Sequence, residues 1–199
     1  MILVGMLDSP YVRRVAISLR AMGIPFEHQS VSVFRHFERF EAINPVVKAP
    51  TLVCDDGTVL MDSTLILDDI EARAPAGKRL MPAAPDARRE VLRRIGIAMA
   101  ACEKCVAMVY EKERRAVIDA PWMARVTAQA NAAFGLLEPL VDARLRGERL
   151  DAADIAMACA WRFSQHYDAT EVPAARFPNL VAFSQRAERL PEFVSTPLD

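Results

Sequence analysis

Residues 8–11, Asp-Ser-Pro-Tyr, place a hydroxyl group at a predicted strand-to-helix corner. The apolar run 1–6 precedes them, and apolar residues follow at helical spacing at positions 12, 15, 16 and 19. Ser9 is a favoured N-cap residue, and Pro10 fits the first helical position. Free backbone N–H groups and the positive end of the helix dipole stabilise an anion such as a thiolate or a phosphate there. The corner is therefore an anion site or a plain helix cap.

A second candidate segment is Lys48-Ala49-Pro50-Thr51-Leu52, at the start of a predicted strand. A proline at a strand entry removes a hydrogen-bond donor from the sheet, so Pro50 is expected in a turn or in the cis form. The backbone of Ala49 is then free to pair with a peptide-like ligand as an added strand. The alternative is that Pro50 only shapes a turn.

A third segment, Asp62-Ser63, lies at the start of another predicted helix. The Ser63 hydroxyl and the first free N–H groups suit a carboxylate, while Asp62 suits an ammonium group. A ligand that carries both groups is an amino acid head. The alternative is that both residues only cap the helix.

These segments belong to a half of the chain with the predicted order β-α-β-α-β-β-α. The predicted strands are 1–6, 26–33, 51–54 and 58–61, and the predicted helices are 10–22, 35–43 and 63–73. The turn 55–57, Asp-Asp-Gly, suits a tight hairpin between the last two strands. This half is predicted to be one domain, residues 1–75.

The rest of the chain is predicted to be helical. A Pro/Ala-rich linker spans 76–86, and the domain 87–199 shows no strand-like alternation. Two long antiparallel helices are predicted, because apolar residues recur at helical spacing in two stretches. The first stripe is at 92, 95, 99, 102, 106 and 109, and the second is at 123, 126, 130, 134, 137 and 141. Asp151 and Asp154 form a predicted capping box, which starts a buried helix, and another helix is predicted over 179–190.

Composition narrows the function classes. The 199 residues include 25 Lys and Arg against 26 Asp and Glu, without a long basic stripe, so no nucleic-acid partner is expected. No apolar stretch is long enough to span a bilayer, and the four cysteines lack a secreted disulfide framework, so a soluble cytoplasmic protein without a membrane partner is predicted. No Cys/His spacing predicts a metal site. Cys102 and Cys105 form a CxxC within a helical pattern, which favours a core role for Cys102 over redox chemistry.

The chain resembles the cytosolic glutathione transferases, in a bacterial form with a serine at the active-site corner. The likeness rests on three segments in the family's order: Ser-Pro-aromatic-Val-Arg at 9–13, the Lys-x-Pro-x-Leu loop at 48–52 and the acidic-Ser helix start at 62–63. The capping box at 151–154 is a fourth. The likeness covers essentially the whole chain.

The resemblance implies a thioredoxin-like N-terminal domain and an all-helical C-terminal domain. It implies a cis Pro50, pairing of the cysteinyl part of glutathione with the Ala49 backbone beside Lys48, and a γ-glutamyl head held by Asp62 and Ser63. Ser9 then points at the sulfur. It also implies a homodimer, and glutathione as co-substrate without a prosthetic group. The second substrate is a small hydrophobic electrophile or a peroxide, bound in a cleft between the domains.

Three points stay open within this resemblance. Ala49 stands where the family usually has Val, Asp62 is shorter than the more common Glu, and Tyr11 is an alternative hydroxyl donor. The expected activity is transfer of alkyl or aryl groups to glutathione, as in detoxification. The alternatives are a binding or stress-response protein with little turnover, and a pathway-specific glutathione-dependent isomerase, dehalogenase or lyase.

Overall fold

The structure is a computed structural model of the chain and describes residues 1–141, 144 and 149–198. Residues 142, 143, 145–148 and 199, which the predicted helical domain includes, lie outside this description. The chain forms two compact units, one from Met1–Met81 with the segment that begins at Pro191, and one from Pro82–Leu190. The domain limits read from composition stay a prediction, and packing places the segment from Pro191 onward in the first unit.

The first unit has the element order that the sequence predicts. Its elements are β1 (Ile2–Val4), α1 (Pro10–Met22), β2 (Glu27–Gln29), α2 (Phe37–Ile43), β3 (Thr51–Val53), β4 (Val59–Met61), α3 (Ser63–Arg73) and, from the end of the chain, α8 (Pro191–Val194). The sheet order is β2-β1-β3-β4. β1 runs parallel to β2 and antiparallel to β3, and β3 runs antiparallel to β4.

The strands are shorter than the sequence predicts. β1 stops at Val4 because Gly5 has a φ of 138°, which turns the chain out of the extended conformation. β2 is the outermost strand and pairs with β1 alone. Because β1 has three residues, β2 covers three residues of the predicted 26–33. Both strands therefore end at the same level, and the chain is released into loops there.

Helix α1 begins and ends where the sequence predicts. Ser9 is the N-cap, Pro10 is the first helical residue, and Gly23 ends the helix with a φ of 70°. The predicted apolar stripe is buried, but so are the charged residues Arg13 and Arg14, which are 1% and 3% exposed. The helix is therefore packed on nearly all sides rather than on one face.

The second unit is helical, as predicted. It contains α4 (Pro85–Arg114), α5 (Ala120–Leu137), α6 (Ala152–Tyr167), α7 (Pro178–Ala187) and two short 3₁₀ turns, Glu138–Leu140 and Ala174–Arg176. Helix α6 is the buried centre, and its Trp161 ring lies 5.2 Å from the Phe134 ring and 5.7 Å from the Phe177 ring, centroid to centroid. A thioredoxin-like unit and a helical unit together confirm the predicted fold class.

One detail of α4 departs from the prediction. Leu92, which starts the predicted apolar stripe, is 49% exposed, whereas its neighbour Val91 is 3% exposed. The buried stripe recurs at three and four residues, as predicted, but is displaced by about one position toward the N-terminus of the helix. The buried apolar residues of α4 are Val91, Ile95, Ala98, Ala101, Cys102, Cys105 and Met108.

Candidate functional site

The Ser9 corner carries a hydroxyl that the fold leaves available. Ser9 Oγ accepts a long hydrogen bond of 3.4 Å from the Val12 N–H, and its backbone oxygen accepts from the Arg13 N–H at 2.9 Å. Among the described residues, the Ser9 hydroxyl donates to no acceptor. Ser9 is half-buried. A partly exposed donor at a helix N-terminus can serve an anionic ligand atom.

Tyr11 lies two residues further, in the first turn of α1, and is also half-buried. It shares the corner with Ser9 but belongs to the helix itself, whereas Ser9 precedes it. Its role as an alternative hydroxyl donor stays a prediction.

The loop before β3 has the backbone conformation that the resemblance implies. The Ala49–Pro50 peptide bond is cis. Ala49 is half-buried, and neither its N–H nor its carbonyl has a hydrogen-bond partner within the described part of the chain. These two groups offer an extended peptide the pairing pattern of one further strand. The Lys48 side chain is exposed, and the Lys48 carbonyl accepts from the Thr51 hydroxyl at 2.7 Å.

The buried Asn44, which the sequence did not single out, braces this loop together with Thr51. The Asn44 Nδ2 donates to Thr51 Oγ1 at 2.8 Å, and the Asn44 Oδ1 accepts from the Val46 N–H at 3.0 Å. Asn44 is 1% exposed and Thr51 is fully buried. Asn44-Pro45 reads as a helix stop in the sequence, and nothing local shows that the asparagine side chain turns back to hold the following loop.

Gly5 ties the loop to α1. A Cβ built on Gly5 would lie 2.6 Å from Val12 Cγ2 and 3.3 Å from the Ala49 Cβ, so a side chain does not fit there. The Gly5 carbonyl is 2.8 Å from His28 Nε2, which fixes the orientation of this peptide. The close approach at Gly5 brings Ala49 next to the first turn of α1.

The start of α3 presents a carboxylate and a hydroxyl side by side. Asp62 has a φ of 69°, and its Oδ1 caps the helix by accepting from the Thr64 N–H at 2.8 Å. No cation pairs with the Asp62 carboxylate among the residues that the structure describes, so its second oxygen can accept from a ligand. Ser63 is 2% exposed, and its Oγ accepts from Arg14 Nη1 at 3.2 Å.

The strand register brings the three segments to one edge of the sheet. Val4 pairs with Thr51, and Thr51 pairs with Met61. Gly5 follows the first of these residues, Pro50 precedes the second and Asp62 follows the third. The turn that leads to Ser9, the Ala49 backbone and the Asp62-Ser63 pair therefore leave the sheet at the same level. This arrangement suits an extended ligand with an anionic atom at one end and an amino acid head at the other.

The cysteines are the remaining candidates for reactive side chains. The prediction that Cys102 is a core residue is confirmed, since Cys102 and Cys105 are fully buried within α4, and burial raises the pKa of the Cys105 thiol. Burial also raises the pKa of Cys54. Across residues 1–141, 144 and 149–198 no three His, Cys, Asp or Glu side chains gather as a metal site, and no helix in that part is long and apolar enough to cross a membrane.

Comparisons with known proteins identify the family of the chain. Residues 3–79 match the model of the glutathione S-transferase N-terminal domain, and residues 106–191 match that of the C-terminal domain. The uncharacterized GST-like protein YibF of Escherichia coli K12 is 31% identical over 162 residues, which is 79% of each chain. The chain belongs to the glutathione transferase family.

Solved family members match in three dimensions as well. A glutathione S-transferase from Methylobacterium radiotolerans, in complex with glutathione sulfonate, is 28% identical, covers 100% of this chain and 95% of its own, and has a TM-score of 0.89. A family member from Pseudomonas fluorescens Pf-5 is 26% identical and covers all of this chain. Its structure with bound glutathione has a TM-score of 0.87, and the match covers 98% of that chain. Its structure with bound S-(propanoic acid)-glutathione has a TM-score of 0.83, and the match covers 100% of that chain.

Proposed function

We propose that this glutathione transferase family member binds glutathione at the shared sheet edge and activates its thiol for attack on a small hydrophobic electrophile or a peroxide. The observation that carries the proposal is the Val4–Thr51–Met61 register, which aligns the Ser9 turn, the Ala49 backbone and the Asp62-Ser63 pair. Bound glutathione and glutathione derivatives in the family members from Methylobacterium and Pseudomonas support the same ligand here.

In this proposal each segment holds one part of the tripeptide. The cysteinyl backbone pairs with the N–H and carbonyl of Ala49, beside the exposed Lys48 side chain. The Ser63 hydroxyl donates to the γ-glutamyl carboxylate, and the free oxygen of Asp62 accepts from its ammonium group. Because the backbone makes the central contact, Ala49 serves as well as the more common valine.

Ser9 acts as a hydrogen-bond donor to the glutathione sulfur. A free thiol ionises near pH 8.5, so at neutral pH it is mostly the weaker nucleophile. The Ser9 hydroxyl and the N-terminus of α1 both stabilise the thiolate. A pKa lowered by about two units corresponds to roughly 2.7 kcal/mol, which one hydrogen bond to a charged atom and the helix dipole jointly supply.

The thiolate then performs the bond-making step. With a carbon electrophile, an S–C bond forms while the leaving group departs with the bonding electrons. With a peroxide, an S–O bond forms while the O–O bond breaks and an alkoxide leaves. In either case Ser9 needs to move no proton, because it stabilises a thiolate that has already lost its proton.

The test is turnover in variants that separate the two hydroxyls. Glutathione turnover is measured with a panel of aryl halides, peroxides and aryl ethers. Ser9→Ala is expected to lower kcat about 100-fold and to stay bound to immobilised glutathione, whereas Tyr11→Phe is expected to stay within about twofold of the original chain. A loss of turnover in Tyr11→Phe without a loss in Ser9→Ala would show that Tyr11, and not Ser9, is the hydroxyl donor.

The same panel addresses the alternative functions. A chain that binds glutathione and turns over none of these substrates fits a binding or stress-response role, and turnover confined to one substrate class fits a pathway-specific lyase, dehalogenase or isomerase.

We further propose that the protein works in the cytoplasm as a homodimer, with glutathione as co-substrate and without a prosthetic group. Light scattering coupled to size exclusion measures the assembly directly.

A further inference from the structure

A buried cation of α1 contacts the first turn of α3. Arg14 is 3% exposed, and its Nη1 donates to Ser63 Oγ at 3.2 Å and to Thr64 Oγ1 at 3.4 Å. A guanidinium has donors and no acceptor, so Ser63 Oγ is the acceptor in this contact. The arginine therefore occupies one lone pair of this oxygen and leaves its O–H to donate elsewhere.

The contact also determines what Ser63 offers a ligand. With a guanidinium N–H on the oxygen, the hydroxyl hydrogen points away from Arg14, and among the described residues it meets no acceptor. The charged donor polarises the O–H bond, which makes the hydroxyl a stronger donor. An ammonium group at this position would lie beside a buried positive charge, which disfavours it.

We propose that Arg14 is a positioning residue that sets the direction in which an amino acid head binds at the start of α3. It holds Ser63 as a donor, so the carboxylate goes to Ser63 and the ammonium goes to Asp62, whose carboxylate can only accept. This inference rests on the proposed function, because it concerns the γ-glutamyl head of glutathione. It adds a residue of α1 to a half-site that α3 otherwise provides.

The test uses ligands that lack one group of the head. Calorimetry measures binding of glutathione, of γ-aminobutyryl-cysteinylglycine, which lacks the α-carboxylate, and of glutaryl-cysteinylglycine, which lacks the ammonium group. Arg14→Met is expected to weaken binding of glutathione and of the glutaryl peptide about tenfold and of the γ-aminobutyryl peptide less than about twofold, since the Ser63 hydroxyl is no longer held as a donor toward the carboxylate. Asp62→Asn is expected to show the opposite ligand preference.

Arg20→Met is the matched control, since Arg20 is an exposed arginine of the same helix that contacts Phe26. It is expected to leave all three affinities unchanged. An equal loss for all three peptides in Arg14→Met would overturn the inference, because a merely structural arginine affects every ligand alike. If Arg14→Met does not fold, Arg14→Lys is used instead. We expect it to weaken glutathione and the glutaryl peptide about threefold relative to the γ-aminobutyryl peptide. An unchanged ratio of the two peptide affinities would contradict the inference.

The two proposals fail in different ways. If the original chain binds none of the three peptides, the proposed function is wrong. If it binds glutathione and Arg14→Met retains the original ratio between the γ-aminobutyryl and glutaryl peptides, only the role of Arg14 is wrong.

Discussion

The N-termini of α1 and α6 are both capped by side chains, and they differ in how much hydrogen-bonding capacity remains. At α6, Asp151 accepts from the N–H groups of Ala153 and Asp154 at 2.8 and 2.9 Å, and Asp154 accepts from the Asp151 N–H at 2.9 Å, which confirms the predicted capping box. Arg94 and Arg144 add ion pairs to these carboxylates. At α1, Ser9 accepts one bond of 3.4 Å and donates none among the described residues.

The difference shows how to separate a structural cap from a ligand site when both start with the same residue types. Asp154 is fully buried, and burial raises its pKa while Arg144 opposes that shift. Its oxygens accept hydrogen bonds from the Asp151 N–H and from Arg144, so they are not available to a ligand. Ser9 is half-buried and weakly engaged, so a ligand atom can take up its hydroxyl without breaking a strong bond.

The largest expected effect on stability comes from breaking the α6 cap. Asp154→Ala leaves the half-buried Asp151 N–H without its acceptor and takes from Arg144 one of its two carboxylate partners, so we expect a loss of about 3 kcal/mol in the free energy of unfolding. Denaturant unfolding measures it. Asp154→Asn, which keeps one acceptor oxygen, is the matched control with an expected smaller loss. If both variants unfold like the original chain, the α6 cap is not the structural element described.

The next effect concerns the close approach at Gly5. Gly5→Ala combines a φ of 138° with a 2.6 Å clash against Val12, so we expect a loss of about 2 kcal/mol in stability and weaker glutathione binding. Gly23→Ala isolates the backbone cost, since Gly23 has a φ of 70° and no atom within 4 Å of an added Cβ. Its expected cost is about 1 kcal/mol, with glutathione binding retained. Equal effects in both variants would show that packing at Gly5 does not matter.

The smallest expected effect is on stability at the α1 cap. Ser9→Ala removes a 3.4 Å hydrogen bond, so we expect a cost of about 0.5 kcal/mol or less in the free energy of unfolding, at the low end for N-cap residues. The same denaturant experiment as for Asp154→Ala gives the value. A cost similar to that of Asp154→Ala would remove the contrast between the two helix starts.

Local signals in the sequence predicted most of the fold. Proline, glycine and capping residues lie beside the helix ends that they define, as at Pro10, Gly23 and Asp151, and these ends are found where they were expected. The candidate site segments were also visible, because each lies where an element starts. The strand lengths were overestimated, since pairing with a partner strand limits them and a single segment does not show its partner.

Contacts between distant positions could not be predicted. Arg13 is buried because its Nε donates to the Thr196 carbonyl at 2.9 Å, 183 positions away, and its guanidinium lies 5.7 Å from the Phe193 ring centroid. Arg14 is buried against Ser63, 49 positions away. Arginine side chains are mostly exposed in proteins, and only the folded chain supplies the carbonyl and the hydroxyls that make the burial of these two favourable.

The central claim, that Ser9 stabilises the glutathione thiolate, is tested most directly by the pKa of the bound thiol. Thiolate absorbance is titrated against pH for glutathione bound to the original chain and to Ser9→Ala. We predict a pKa about two units below that of a free thiol in the original chain, and a value about one unit higher in Ser9→Ala with glutathione still bound, because only the helix dipole stabilises the thiolate there. A thiol pKa that is equally low in both proteins would contradict the claim.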